Sequence, residues 1–161
     1  MSLVDPYHAY IFGASFWYAL RGLARITDPE RVSGWFRPPS QPVVSPSDLE
    51  IYTIWTDGFQ LLTLALLLLV FADAVPLPWS SASAAQASAA RKPLARLAIL
   101  ATIFHHVTTG YGAWTHWARD SHRTVAMEIG VWGNVGLTVL GLVAVGVGMG
   151  GEGRGRGVKR S

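Results

Sequence analysis

The sequence predicts an all-α protein, an integral-membrane bundle of four antiparallel helices running up-down-up-down. Half of the 161 residues are hydrophobic and only 14% are charged, with a mean hydropathy of +0.30, a balance that leaves one small soluble domain or one small membrane protein. Four segments approach the roughly 20 apolar residues that a hydrocarbon core about 30 Å thick demands of a helix. Their Trp and Tyr residues gather towards the segment ends, where amphipathic rings favour the membrane interface.

The first expected span covers about 8–24, "HAYIFGASFWYALRGLA". It is short and carries Arg21, but no basic region precedes it and no small-residue cleavage site follows, so it reads as retained rather than as a cleaved signal. The stretch "RITDPERVSGWFRPPSQPVVSPSD" comes next, whose prolines forbid a long helix and predict an ordered or semi-extended surface loop. Ser47 is a natural N-cap followed by Asp48 and Glu50, carboxylates that complement a helix dipole, so the second span, about 52–75, starts just after Pro46. The run "PLPWSSASAAQASAARKP" is low-complexity Ala/Ser, expected as a mobile linker without function. The third span covers about 94–117. Six residues, "ARDSHR", then force a tight hairpin into the fourth, about 124–148. Small pairs in the fourth span, Ala126/Gly130 and Ala144/Gly148, allow a neighbouring backbone to come close. The domain is therefore expected over 1–148, with 149–161 a disordered Gly/Arg-rich tail.

Four spans put both termini on one side of the membrane. Lys and Arg number seven on that side (with the Ala/Ser linker) and six on the other, a near balance in which the basic tail is assigned to the cytoplasmic face. The tail is too short for a nucleic-acid module, and no nucleic-acid partner is expected. With no cysteine there is no thiolate chemistry and no disulfide framework.

In hydrocarbon every polar side chain needs a partner, so the polar residues are the functional pointers. Thr53, Thr56, Asp57, Gln60 and Thr63 recur at three and four and share one helical stripe. The third span carries Thr102, His105, His106, Thr109 and His116. Neighbours on a helix diverge by about 100°, so only one of His105 and His106 can face the bundle squarely, and His106 is the choice. In the fourth span Thr124, Glu128 and Trp132 share a face, with Asn134 well round from Glu128. Arg21, Asp57, Gln60, His116 and Glu128 all fall towards the surface with the proline loop, and the two adjacent histidines lie deeper. Plainer roles stand beside these: carboxylates near a boundary can face headgroup water, threonines can bond back to their own helix, and an imidazole pair can simply tie helices together.

The chain lacks a phosphate loop and a dinucleotide fingerprint, and five histidines with one adjacent pair make a poor chelate set, so neither a metal nor another cofactor is expected. Acid/base or shape-based catalysis remains. Asp57, Glu128 and His106 are the candidate acid/base groups. Trp55, Gln60, His105, Thr109, Tyr111 and Trp132 are the candidate substrate-binding residues, and Trp17, Tyr18 and Trp114 are further aromatic walls.

The segment "EIYTIWT", Glu50 to Thr56, resembles the small endoplasmic-reticulum scaffold family of ergosterol biosynthesis, whose second helix opens with a basic-Thr-aromatic-x-x-Trp-Thr signature. Tyr52, Trp55 and Thr56 match it. Glu50 stands where the family has a basic residue, Thr63 where it has an arginine, and Thr102 and His106 fall in roughly corresponding places without the acidic residue that should follow. The chain is also similar to small fungal membrane proteins of natural-product pathways, which include terpenoid cyclases and isomerases. Both resemblances imply a multi-pass protein of the endoplasmic reticulum handling lipophilic isoprenoid or polyketide intermediates. Two functions are thus expected: a cofactor-independent isomerase or cyclase with a hydrophobic small-molecule substrate, or a non-catalytic scaffold that tethers other membrane-bound biosynthetic enzymes. A channel or carrier subunit fits less well, because four short spans make no pathway without oligomerisation.

Overall fold

A computed structural model describes residues 5–72 and 84–147, with 84–92 as helix backbone only. These residues form α-helices and one short 3-10 turn, with no strand among them, so the fold class is all-α. The expected tail 149–161 and much of the Ala/Ser linker lie outside the described residues.

Each helix begins where local chemistry satisfies its free N–H groups. Helix α1 (Pro6–Thr27) has Pro6 in its first turn and Asp5 as N-cap, accepting from the His8 backbone N–H at 3.0 Å. Asp28 ends α1 and caps α2 (Pro29–Phe36), accepting from the Arg31 N–H. The proline-rich stretch therefore contains a short helix where the sequence suggested an extended loop: Asp28-Pro29 is a cap followed by a first-turn proline, a start signal that the proline count obscured. Helix α3 (Asp48–Phe71) opens on a capping box, in which the Ser47 hydroxyl accepts from the Glu50 N–H and the Glu50 carboxylate accepts from the Ser47 N–H.

Helix α4 (Ala84–Trp117) starts ten residues before the expected third span and has Pro93 inside it. Alanine is the best helix former, so an Ala-rich run read as linker extends the helix backwards. Ala118 and Arg119 lead into the 3-10 turn Asp120–His122, after which Thr124 caps α5 (Val125–Gly146). In that hairpin Arg123 lies over the Trp117 ring and 3.5 Å from the Asp120 carboxylate.

The four long helices alternate in direction. Tyr7 of α1 meets Phe71 of α3 and Arg25 meets Asp57, an antiparallel pairing. Ile103 and Gly141, then Gly110 and Asn134, pair α4 and α5 the same way. Helix α1 also packs on α5, whereas α1 and α4 face each other diagonally and are joined by long side chains. The core between them holds Tyr10, Ile11, Ala14, Tyr18, Leu61, Leu68, Ile99 and Ala144. The α1/α3 crossing is closest at Gly22 and Gly58, where a Cβ on Gly22 would lie 2.8 Å from the Gly58 carbonyl oxygen. Only glycine permits that approach.

Among the described residues two helices, α3 and α5, are long and apolar enough to cross a membrane, each with a mean hydropathy of 1.8 over its best window. Just 22% of each window is buried inside the protein, and large apolar side chains such as Phe16, Leu66, Phe104, Val139 and Leu142 point outward.

Candidate functional site

Diagonal contacts between α1 and α4 build a buried polar ladder. At its deeper rung the Tyr10 hydroxyl lies 2.7 Å from Thr102 Oγ1. Thr102 donates to its own helix at Ala98 and Ile99, which leaves its oxygen to accept from Tyr10. One rung up, His106 is 1% exposed and stacks on Tyr18 with ring centroids 5.1 Å apart. Its Nε2 is 3.1 Å from the Tyr18 hydroxyl and its Nδ1 is 2.9 Å from Asn134 Oδ1. Asn134 Nδ2 donates to the Gly130 carbonyl at 2.7 Å, which fixes the amide with Oδ1 towards the histidine. His106 therefore carries its proton on Nδ1 and accepts from Tyr18 on Nε2. Thr109 lies 3.2 Å from the same Asn134 oxygen and donates at 2.7 Å to the His105 carbonyl.

The adjacent histidine has a different environment. His105 packs edge-on to Tyr18 and to His106, and its Nε2 is buried with no hydrogen-bond partner among the described residues. Three further buried polar atoms share that condition: Ser15 Oγ, Trp17 Nε1 and one terminal nitrogen of Arg21.

Above the ladder, towards the end of the bundle that carries α2 and the α4/α5 hairpin, lies a cavity of about 530 Å³. Thr109 and Asn134 form its floor, so the ladder and the cavity share a wall. Trp17, Arg21, Trp35, Phe36, Met127 and Ile129 are among its other sides, contributed by α1, α2 and α5. The Trp17 ring closes on Gly133, where an added Cβ would fall 2.6 Å from it. The Arg21 guanidinium stands over the Trp17 ring at 5.7 Å.

Charge at the cavity is asymmetric. Arg25, whose side chain is 10% exposed, binds Asp57 at 2.6 Å, donates to the Arg21 carbonyl and packs on Phe36. Asp57 is thereby occupied, with 44% of its side chain exposed. Arg21 forms no ion pair among the described residues, and no carboxylate lines the cavity. No cluster of three or more His, Cys, Asp or Glu residues able to hold a metal forms among the described residues.

The sequence-derived candidates are thus distributed over several environments. His106 and Thr109 sit in the ladder, and His105 sits beside it. Glu128 is exposed in the first turn of α5, next to the rim residues Met127 and Ile129. Trp55, Gln60, Tyr111 and Trp132 are exposed on the outside of the bundle. The polar stripe of α3 faces largely outward: Thr53 and Thr63 are exposed and, like Thr56, bond back to carbonyls of their own helix. Arg21 and Asn134, which the sequence marked as polar residues of the spans but not as site candidates, join the site here.

The model of a family described as a domain of unknown function, DUF8792, matches residues 10–154. The chain belongs to that family. The matched stretch takes in every residue of the DUF8792 cavity and ladder named above, from Tyr10 to Asn134. No curated protein and no solved structure matches this DUF8792 chain.

Proposed function

We propose that this DUF8792 chain is a four-span integral membrane enzyme of the endoplasmic reticulum, a cofactor-independent isomerase or cyclase acting on a lipophilic terpenoid, sterol or polyketide intermediate. The observation that carries this reading is the cavity itself, apolar-walled and lined by one half-buried guanidinium that has no ion pair among the described residues. Its volume lies in the ~300–1,000 Å³ range of small-molecule sites. Outward-facing apolar side chains on all four long helices support lipid as the surrounding solvent, since a water-soluble protein rarely exposes so much apolar surface. In this reading α1 and α4 cross alongside α3 and α5, and their polar residues are carried in the shared interior.

Arg21 is the group placed to hold or polarise a substrate oxygen, because a donor in a dry site stabilises developing negative charge far better than water does. Asp57 acts on it at one remove, by engaging Arg25 and leaving Arg21 free. His106 holds the cavity floor through Asn134, and Glu128, at the mouth, is the proton carrier open to exchange. The test is turnover by the chain alone in a heterologous membrane, offered terpenoid, sterol and polyketide intermediates. Arg21→Gln is expected to abolish product, with Glu128→Gln and Asp57→Asn reducing it.

The scaffold reading has one observation in its favour. Tyr52 and Trp55, which carry the resemblance to the scaffold family, lie with Thr53, Gln60 and Thr63 on the outside of α3, where a partner helix could pair with them. If no turnover appears without other pathway enzymes, and substitutions on this outer face abolish only co-purification with them, the scaffold replaces the enzyme.

A further inference from the structure

We infer that the cavity receives the anionic head, a carboxylate or phosphate monoester, of a single-chain amphiphile, with Arg21 as its counter-charge. This rests on the reading of the cavity as the substrate site and names the class of molecule it takes.

Charge is the first reason. A guanidinium held away from water is costly unless an anion meets it. The nearby carboxylate, Asp57, is already bound at 2.6 Å by Arg25, and no acidic side chain among the described residues lines the cavity. A neutral carbonyl or hydroxyl could accept one hydrogen bond from Arg21 but would leave its charge uncompensated. A carboxylate or phosphate supplies both charge and two coplanar oxygens, the geometry that a guanidinium fork fits.

The placement of positive charge is the second. Arg21 lines the cavity and its guanidinium stands over the Trp17 ring at 5.7 Å, which holds the cation at that wall. The first turn of α5, through Ala126 and Met127, brings the positive end of its helix dipole to the same cavity.

Size and lining set the remainder of the molecule. At about 30 Å³ per water-sized group, about 530 Å³ holds roughly 15–20 non-hydrogen atoms. That matches one hydrocarbon chain or a compact ring system more closely than the two chains of a phospholipid. Leu20, Trp35, Phe36 and Ile129 provide the apolar contact for it.

The experiment uses the full chain in phosphatidylcholine nanodiscs at about pH 8, well above a carboxylic acid's ordinary pKa. Saturable binding of dodecanoate, dodecyl phosphate and neutral methyl dodecanoate is followed by tryptophan fluorescence, with protein-free nanodiscs subtracted for partitioning. Charge-assisted hydrogen bonds correspond to about 10–100-fold in affinity, so both anions are expected to bind at least tenfold more tightly than the ester. Arg21→Gln should weaken both anions at least tenfold and the ester far less, which closes most of the gap between them. Arg21→Lys, which keeps the charge and loses the fork, should fall between, and serves if Arg21→Gln does not fold. Phosphatidic acid in the nanodisc should not displace the probes. Equal binding of ester and anions by the wild-type chain would overturn the anionic head and leave the cavity reading intact. Displacement by phosphatidic acid would overturn the single-chain commitment. Absence of saturable binding for all three probes would sink the cavity reading itself, and the inference with it.

Discussion

Replacing Asn134 by leucine tests whether the His106 ladder is a coupled unit. The amide accepts from His106 at 2.9 Å and donates to the Gly130 carbonyl at 2.7 Å, and it is 2% exposed. Without it, Gly130 keeps its place in the α5 ladder and Thr109 keeps its bond to the His105 carbonyl. One group is orphaned, the His106 Nδ1–H, which is buried and has no other acceptor. Leaving such a donor unmade costs about 1–3 kcal/mol in a water-soluble protein, and interhelical bonds in a bilayer average nearer 0.6 kcal/mol with a maximum of about 1.7. The expected loss for Asn134→Leu is therefore about 1–2 kcal/mol. His106→Leu orphans the Tyr18 hydroxyl and leaves the Asn134 oxygen only the longer contact from Thr109, at 3.2 Å, so it should cost about 2 kcal/mol. The double substitution removes the orphans that face each other, so it should cost at least about 1 kcal/mol less than the two single losses combined. Reversible SDS unfolding in bicelles, followed by tryptophan fluorescence, measures all three. Additivity within about 0.5 kcal/mol would refute a shared ladder.

Other substitutions probe the packing and the helix ends. Gly22→Ala should destabilise by about 1–3 kcal/mol, because its Cβ meets the Gly58 backbone oxygen at 2.8 Å and α1 must move off α3. Gly136→Ala, with open space around it, should instead gain about 0.5–1 kcal/mol through helix propensity; the same unfolding assay compares them, and equal effects would count against the close crossing. Asp57→Asn leaves Arg25 without its ion pair. With Asp57 partly exposed the loss should stay near 1 kcal/mol, and a Thr56→Val control should show almost none of it. At the start of α1, burial pushes the Asp5 carboxyl up, but hydrogen bonds from the backbone and ring of His8 outweigh it and hold its pKa below the ordinary value. A depressed carboxyl stabilises the fold above its unfolded pKa, so this contribution is present at neutral pH and disappears as pH falls below about 4. The acid-side loss of stability should be smaller in Asp5→Asn, and an unchanged acid limb would show the cap to be idle.

Local rules made much of the fold legible. Ser47 and Thr124 stand at helix starts because a side-chain oxygen there satisfies N–H groups that the helix cannot, and that pattern can be read within four residues. The short α2 and the backward extension of α4 were also encoded locally, by Asp28-Pro29 and by the alanines after residue 83, but proline count and low complexity obscured them. Periodicity showed that Thr53, Thr56, Gln60 and Thr63 share a face. It carried no information on which neighbour that face meets, and in the structure most of it meets none.

The sequence by itself determined that this chain is helical and rich in apolar surface, and that a few polar residues are embedded among apolar ones. Composition, capping and periodicity act within a turn or two of helix, so one chain segment suffices to read them. Only the tertiary structure decided which imidazole turns inward, since His106 is chosen by Tyr18, 88 positions away, and by Asn134, 28 positions away. It also decided that Arg25, not Arg21, takes Asp57. That choice depends on where the glycine contact between α1 and α3 sets the two helices, and it leaves Arg21 as the unpaired cation of the cavity.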